Sequence, residues 1–182
     1  MEIKQTPLEG VLECIPRTFS DERGMFRETW SQATFASATG LSVVFVQDNE
    51  SRSAAGVVRG LHFQVPPHAQ GKLVRCAVGR VLDVAVDLRS SSPTFGHHVK
   101  VELSAEAGNQ LWIPPGFAHG FAALEPDSVL AYKCTAGYAP GSEAALRWDD
   151  PDLGIEWGVA EPLLSPKDAG AGSWADFASP FP

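Results

Sequence analysis

Several ionisable side chains interrupt runs that otherwise read as apolar strands. Arg59 and His62 lie in VVRGLHFQ, Lys72 and Arg75 in QGKLVRC, Asp83 in VLDVAVD, His119 in PPGFAHGF, and Tyr132 and Lys133 in LAYKC. Together they supply a base, an acid and cations, the groups needed to move a proton beside a carbonyl. Removing a proton α to a ketone leaves an enolate, so a cation or hydrogen-bond donor aimed at the carbonyl oxygen lowers the barrier. A histidine with an ordinary pKa of about 6.5 is poised as the base near neutral pH. A tyrosine on the opposite face can return the proton and invert the carbon.

Arg59 and His62 are three residues apart, so an unbroken strand sends them to opposite faces. Gly60 between them offers a bulge, which would bring both to one side. The plain alternative places Arg59 in solvent and His62 in the core as a hydrogen-bonded histidine. The other inward candidates weigh against that alternative. IPPGFAH contains P-x-G-x-x-H from Pro114 to His119 and resembles the second half of the cupin signature. The H-x-H pair with which many cupins hold a metal is missing, since Gly60 and Gln64 stand two residues either side of His62. His97 and His98 are adjacent, and in a strand their rings face opposite ways. No metal is expected.

The elements that must position these groups are short strands. In GRVLDVAVDLR, Leu82, Val84, Val86 and Leu88 alternate with Val81, Asp83, Ala85 and Asp87, the period of a half-buried strand. HHVKVELSAE, QLWIP and SVLAYKCTA continue the pattern across a Gly-Asn turn and a longer loop. Helix signals are few: SQATFASAT at 31–39 behind Ser31 as N-cap, and a short turn in SPKDAG at 165–170. Many short strands with close turn signals predict a sandwich or closed barrel, mostly antiparallel. From about residue 162 onward, Pro, Ala, Gly and Ser predict an irregular arm or flexible terminus.

The chain has 182 residues, long enough for one good core and short for two, so one domain is expected over 1–182. A formal charge of -8 offers no general attraction for nucleic acid or an anionic membrane surface. Cys14, Cys76 and Cys134 are odd in number and widely spaced, which fits reduced thiols in a cytoplasmic protein. MEIKQTPLEG shows neither the basic start nor the apolar stretch of an export signal, and no apolar run approaches membrane-spanning length.

Nine phrases in order resemble the dTDP-4-dehydrorhamnose 3,5-epimerase family of cupin-type enzymes. They are FSDERGMFRETW, FVQDNESRS, VVRGLHFQ, QGKLVRCAVGRVLDVAVDLR, SPTFG, QLWIPPGFAHGF, LAYKCT, DPDLGIEW and LSPKDA. The resemblance implies an all-β, cupin-like jelly-roll or double-stranded β-helix barrel with a few short helices. It also implies a cofactor-independent isomerase acting on dTDP-4-dehydro-6-deoxy-D-glucose in dTDP-L-rhamnose synthesis. By resemblance, His62 is the base for C3 and C5, Asp168 its hydrogen-bonding partner, Tyr132 the acid on the opposite face, and Lys72 the cation near the C4 oxygen. Arg23, Gln47, Asp48, Asn49 and Arg59 match positions that grip the dTDP portion, and Phe26 and Tyr138 match aromatic neighbours of the thymine. Glu28, His119, Glu143 and Lys167 match further ligand-contacting positions. The family is dimeric with exchanged N-terminal strands, so Arg23 and Glu28 are expected to complete a partner's site, and isolated monomers to be poorly active.

Spacing alone does not pair His62 with Asp168; it points to Asp83 as the orienting carboxylate. Three other functions stay open: a 3- or 5-mono-epimerase of another deoxysugar pathway, a metal-dependent cupin oxygenase or isomerase, and a non-catalytic sugar-nucleotide-binding module. The missing H-x-H pair speaks against the second and the full acid-base set against the third.

Overall fold

The computed structural model describes residues 1–182. In chain order the strands are β1 (Glu2–Gln5), β2 (Leu12–Ile15), β3 (Thr18–Asp21), β4 (Gly24–Arg27), then helix α1 (Gln32–Thr39), β5 (Gln47–Ser53), β6 (Val58–Gln64), β7 (Lys72–Val78), β8 (Arg80–Asp87), β9 (His98–Ser104), β10 (Gln110–Ile113), β11 (Phe117–Ala123), β12 (Ser128–Cys134), β13 (Glu143–Ala145) and helix α2 (Pro166–Ala169). They form a six-stranded sheet in the order β1-β2-β10-β7-β12-β5, a five-stranded sheet in the order β13-β6-β11-β8-β9, and a separate β3-β4 hairpin. Pairing between these strands is antiparallel throughout, as the alternating pattern predicts.

The two large sheets face each other across a shared core. Val74, Cys76, Leu111, Ile113 and Leu130 come from one sheet, and Val81, Ala85, Leu103, Phe117 and Phe121 from the other. Each fully buried side chain of this kind contributes about 1.5–3 kcal/mol over an exposed one. The interior is apolar over part of its length and opens into a polar cavity over the rest.

The half-buried reading of β8 needs correction, because both of its faces are covered. Val84, Val86 and Leu88 point away from the barrel interior and pack with Leu153, Ile155, Trp157 and Phe181 from the C-terminal region. That region is irregular, as expected, but it is not a loose terminus. Phe181 is buried, Phe177 stacks edge-on against Phe63, and Trp174 packs on Phe95. The apolar face of the five-stranded sheet requires a cover, and the arm supplies it.

On the outside of the six-stranded sheet, α1 plays the same role. Ser31 caps it, its hydroxyl accepting from the Thr34 amide at 3.3 Å, and Gly40 ends it in the left-handed conformation. Phe35 is buried against Trp112, with ring centroids 5.7 Å apart. Cys14, Cys76 and Cys134 are buried and unbridged.

Candidate active site

β6 brings His62 into the space between the sheets. His62 pairs with His119 of β11, and Arg59 with Phe121, so β6 carries one residue more than its partner between these two points. This is the bulge that Gly60 suggested. Gly60 has φ +135, and a Cβ there would lie 2.5 Å from the Gly120 Cα, so only glycine fits. Arg59 and His62 consequently line one cavity. Arg59 nevertheless stays exposed, so it lines the cavity and meets solvent at once.

His62 Nε2 donates to Asp168 Oδ1 at 2.5 Å. Asp168 sits in α2, where its amide donates to the Ser165 hydroxyl at 3.1 Å and Ser165 Oγ returns a hydrogen bond to Asp168 Oδ2 at 2.8 Å. This reciprocal cap fixes the carboxylate. With Nε2 committed, Nδ1 is the free nitrogen of the neutral ring. Burial lowers the His62 pKa, and the Asp168 charge pulls it partly back. The imidazole is therefore held neutral and able to accept a proton near neutral pH.

The opposing sheet supplies the other groups. Tyr132 lies on β12 and Lys72 begins β7, and both line each of the two cavities that His62 lines. One cavity, of about 290 Å³, continues toward Gln47, Asn49, Tyr138 and Glu143. The other, of about 190 Å³, continues toward Ser51, Arg59, His119 and Phe121. Burial raises the Tyr132 pKa, which keeps its phenol protonated and able to donate. Burial lowers the Lys72 pKa, against the pull of nearby acidic groups. The two cavities thus bring an imidazole from one sheet together with a phenol and an amine from the other.

The 290 Å³ cavity has an ordered polar wall. Gln47 Nε2 donates to Asn49 Oδ1 at 3.0 Å, and Gln47 Oε1 accepts from the Tyr138 amide at 2.8 Å. Tyr138 donates to Glu143 Oε2 at 2.9 Å, and Glu143 also pairs with Lys167, the residue before Asp168. Lys167 holds the Glu143 carboxyl below the usual range. Gln64, Gln70 and Cys134 line this cavity as well and were not singled out in the sequence. Nor was Ser165, although S-x-x-D ahead of a short turn is a visible capping pattern.

Other expected site residues are placed elsewhere. Asp48 turns to the opposite face of β5 from Gln47 and Asn49 and pairs with Lys133 at 2.5 Å. Arg75 and Lys133 line a groove with Asp48 on that outer face, because each is one strand position out of phase with the cavity. Asp83 does not orient His62. It is fully buried and accepts from His119 Nε2 at 2.9 Å. Arg23 and Phe26 sit exposed on the β3-β4 hairpin, and Glu28 accepts from Thr34 Oγ1; none of the three lines a cavity with His62.

The sequence profile of the dTDP-4-dehydrorhamnose 3,5-epimerase family matches residues 5–176. The dTDP-4-dehydrorhamnose 3,5-epimerase of Salmonella typhimurium is 54% identical over 172 residues, covering 94% of each chain. The crystal structure of a Legionella pneumophila dTDP-6-deoxy-D-glucose-3,5-epimerase, in complex with dTDP-4-keto-L-rhamnose, superposes with TM-score 0.93 at 45% identity over 97% of this chain and 94% of that one. A 3'-monoepimerase from Streptomyces bikiniensis, in complex with dTDP-quinovose, superposes with TM-score 0.89 at 37% identity over 96% and 88% of the two chains. With the cupin-type barrel and its histidine, tyrosine and lysine already in place, these matches settle the family: the chain belongs to the dTDP-4-dehydrorhamnose 3,5-epimerase family of isomerases.

Proposed function

We propose that this protein inverts C3 and C5 of dTDP-4-dehydro-6-deoxy-D-glucose, giving dTDP-4-dehydro-L-rhamnose. The observation that carries the reading is the placement of His62, backed by Asp168, on one sheet and Tyr132 on the other, with Lys72 lining the same two cavities. His62 takes the proton from C3, and the C–H electron pair moves into the C3–C4 bond as the carbonyl π pair moves onto the C4 oxygen. Lys72 stabilises the resulting enolate. Tyr132 then delivers a proton to the opposite face of C3. Solvent recharges the tyrosine and takes the proton from His62, and the same cycle repeats at C5. Atoms and charge are unchanged overall, so no external cofactor is needed.

Gln47, Asn49, Arg59, Tyr138, Glu143 and Lys167 are the groups for the dTDP portion, with Arg59 suited to the diphosphate. Arg23, Phe26 and Glu28 fit the function through a second copy. The β3-β4 hairpin exposes Phe19, Met25 and Phe26, an apolar surface that a homodimer with exchanged N-terminal strands would cover. Asp48 stands on the outer face of β5, paired with Lys133 in the groove that Arg75 also lines. The chain acts as one domain, in the cytoplasm where nucleotide sugars are made. No helix is long and apolar enough to cross a membrane.

The same fold serves a 3'-monoepimerase, so the acid-base set alone does not choose between one inversion and two. NMR of the ketosugar incubated with the protein in deuterated water decides, with the product trapped by reduction. Deuterium at C3 and C5 with a rhamnose-configured product is expected. Label at one carbon would make the protein a mono-epimerase, and no label would reject epimerisation.

A further inference from the structure

We propose that Ser51 is a recognition residue for the hexose, its hydroxyl gripping the C2 hydroxyl of the ring; the identity of the sugar rests on the function proposed above. Ser51 lies on β5 opposite Leu130 of β12, on the same strand face as Asn49 and Ser53. It lines the 190 Å³ cavity together with Arg59, His62, Lys72, His119 and Tyr132. Its Oγ is the one buried side-chain nitrogen or oxygen in the chain without a hydrogen-bond partner. Its polar neighbours bond elsewhere or point into the cavity: Ser53 Oγ accepts from Arg59 Nε at 3.2 Å, His119 Nε2 donates to Asp83, and His62 Nε2 donates to Asp168, while Lys72 and Tyr132 line the same cavity.

A buried hydroxyl without a protein partner destabilises the free protein, and an alanine of nearly the same size would remove the penalty. Such a group at a ligand cavity is satisfied when the ligand arrives, and one rotation about χ1 redirects it. The orientation of the sugar follows from the acid-base pair. C3 and C5 must lie between His62 and Tyr132, with the C4 oxygen at Lys72. One side of the carbonyl then carries the C5 methyl group, and the other the C3 and C2 hydroxyls. Ser51 and His119 are polar and suit the hydroxyl side. The C3 hydroxyl changes position when that carbon inverts, whereas the C2 hydroxyl keeps its configuration through both proton transfers. Of the two ring hydroxyls, the one at C2 is therefore the one that can hold the ring in register through both transfers.

The test is calorimetric binding of dTDP, dTDP-L-rhamnose and 2-deoxy-dTDP-L-rhamnose to the wild type and to Ser51→Ala, with thermal melting of both free proteins. The substitution is expected to weaken dTDP-L-rhamnose by about five- to tenfold, to leave dTDP unchanged, and to erase the preference for the 2-hydroxylated sugar. The melting temperature of the free variant should be equal to or above that of the wild type. Equal losses for dTDP and dTDP-L-rhamnose, an unchanged preference for the 2-hydroxyl, or a variant that melts lower or does not fold would each overturn the assignment. A wild type that prefers dTDP-L-rhamnose over dTDP yet exchanges no deuterium into the ketosugar would reject the epimerase function and leave the Ser51 contact standing.

Discussion

The molecule contains two histidine–carboxylate pairs, and they are built in opposite ways. His62 reaches across 106 residues of sequence to Asp168, and 31% of its side chain is exposed to the cavity while the carboxylate is covered. His119 reaches Asp83 on the neighbouring strand, 36 residues away, and both are sealed, at 7% and 0% exposure. A base must meet its substrate and then exchange its proton with solvent, which suits the open pair. The closed pair has the geometry of a fixed wall, its carboxylate holding a ring in one orientation. Exposure of the imidazole, more than the presence of a carboxylate, separates the two roles.

The largest effect should come from His62→Ala, which removes the base and is expected to abolish deuterium exchange at C3 and C5, a loss of about 10²–10⁴-fold. His119→Ala should retain measurable exchange; if it silenced both carbons equally, the division of roles would break. Tyr132→Phe is expected next, with inversion reduced about a hundredfold while exchange partly survives, because abstraction does not need the opposite-face acid. Full epimerase activity in that variant would require a different acid.

Asp168→Asn should cost about 10–100-fold in kcat/KM without unfolding the protein. Its pH profile sharpens the comparison. Burial already sets the His62 pKa below its ordinary value, and the Asp168 charge opposes that shift. Losing the charge lowers the pKa further, so the acidic limb of kcat/KM should move to lower pH; a limb moving upward would contradict the assignment. Asp83→Asn should have the smallest effect on exchange, less than about tenfold. Its cost should appear instead in a urea titration, as about 1–3 kcal/mol of stability lost from a buried pair.

The strand pattern made the sheets legible because alternation reports which face is buried. The bulge was legible too, since a glycine between two polar strand residues has few other uses. Asp168 was not, because a contact across 106 residues leaves no mark in local spacing, and the family resemblance supplied it. The nearer carboxylate, Asp83, misled for the same reason: spacing places it beside the site without saying which ring it faces. The outer cover on β8 was also hidden, since Leu153, Trp157 and Phe181 follow no period and their partners lie far away in sequence.

The irregular arm that covers the five-stranded sheet also carries Asp168, and this orders events while the protein is being made. A ribosome completes both large sheets before it releases Ser165 and Asp168. Until the arm wraps, the growing chain has a barrel with an unoriented base. Competence therefore arrives last, together with the packing of Phe181 against the sheet. A product of premature termination would show strand content on circular dichroism and little turnover, because the same stretch both closes the core and aims His62.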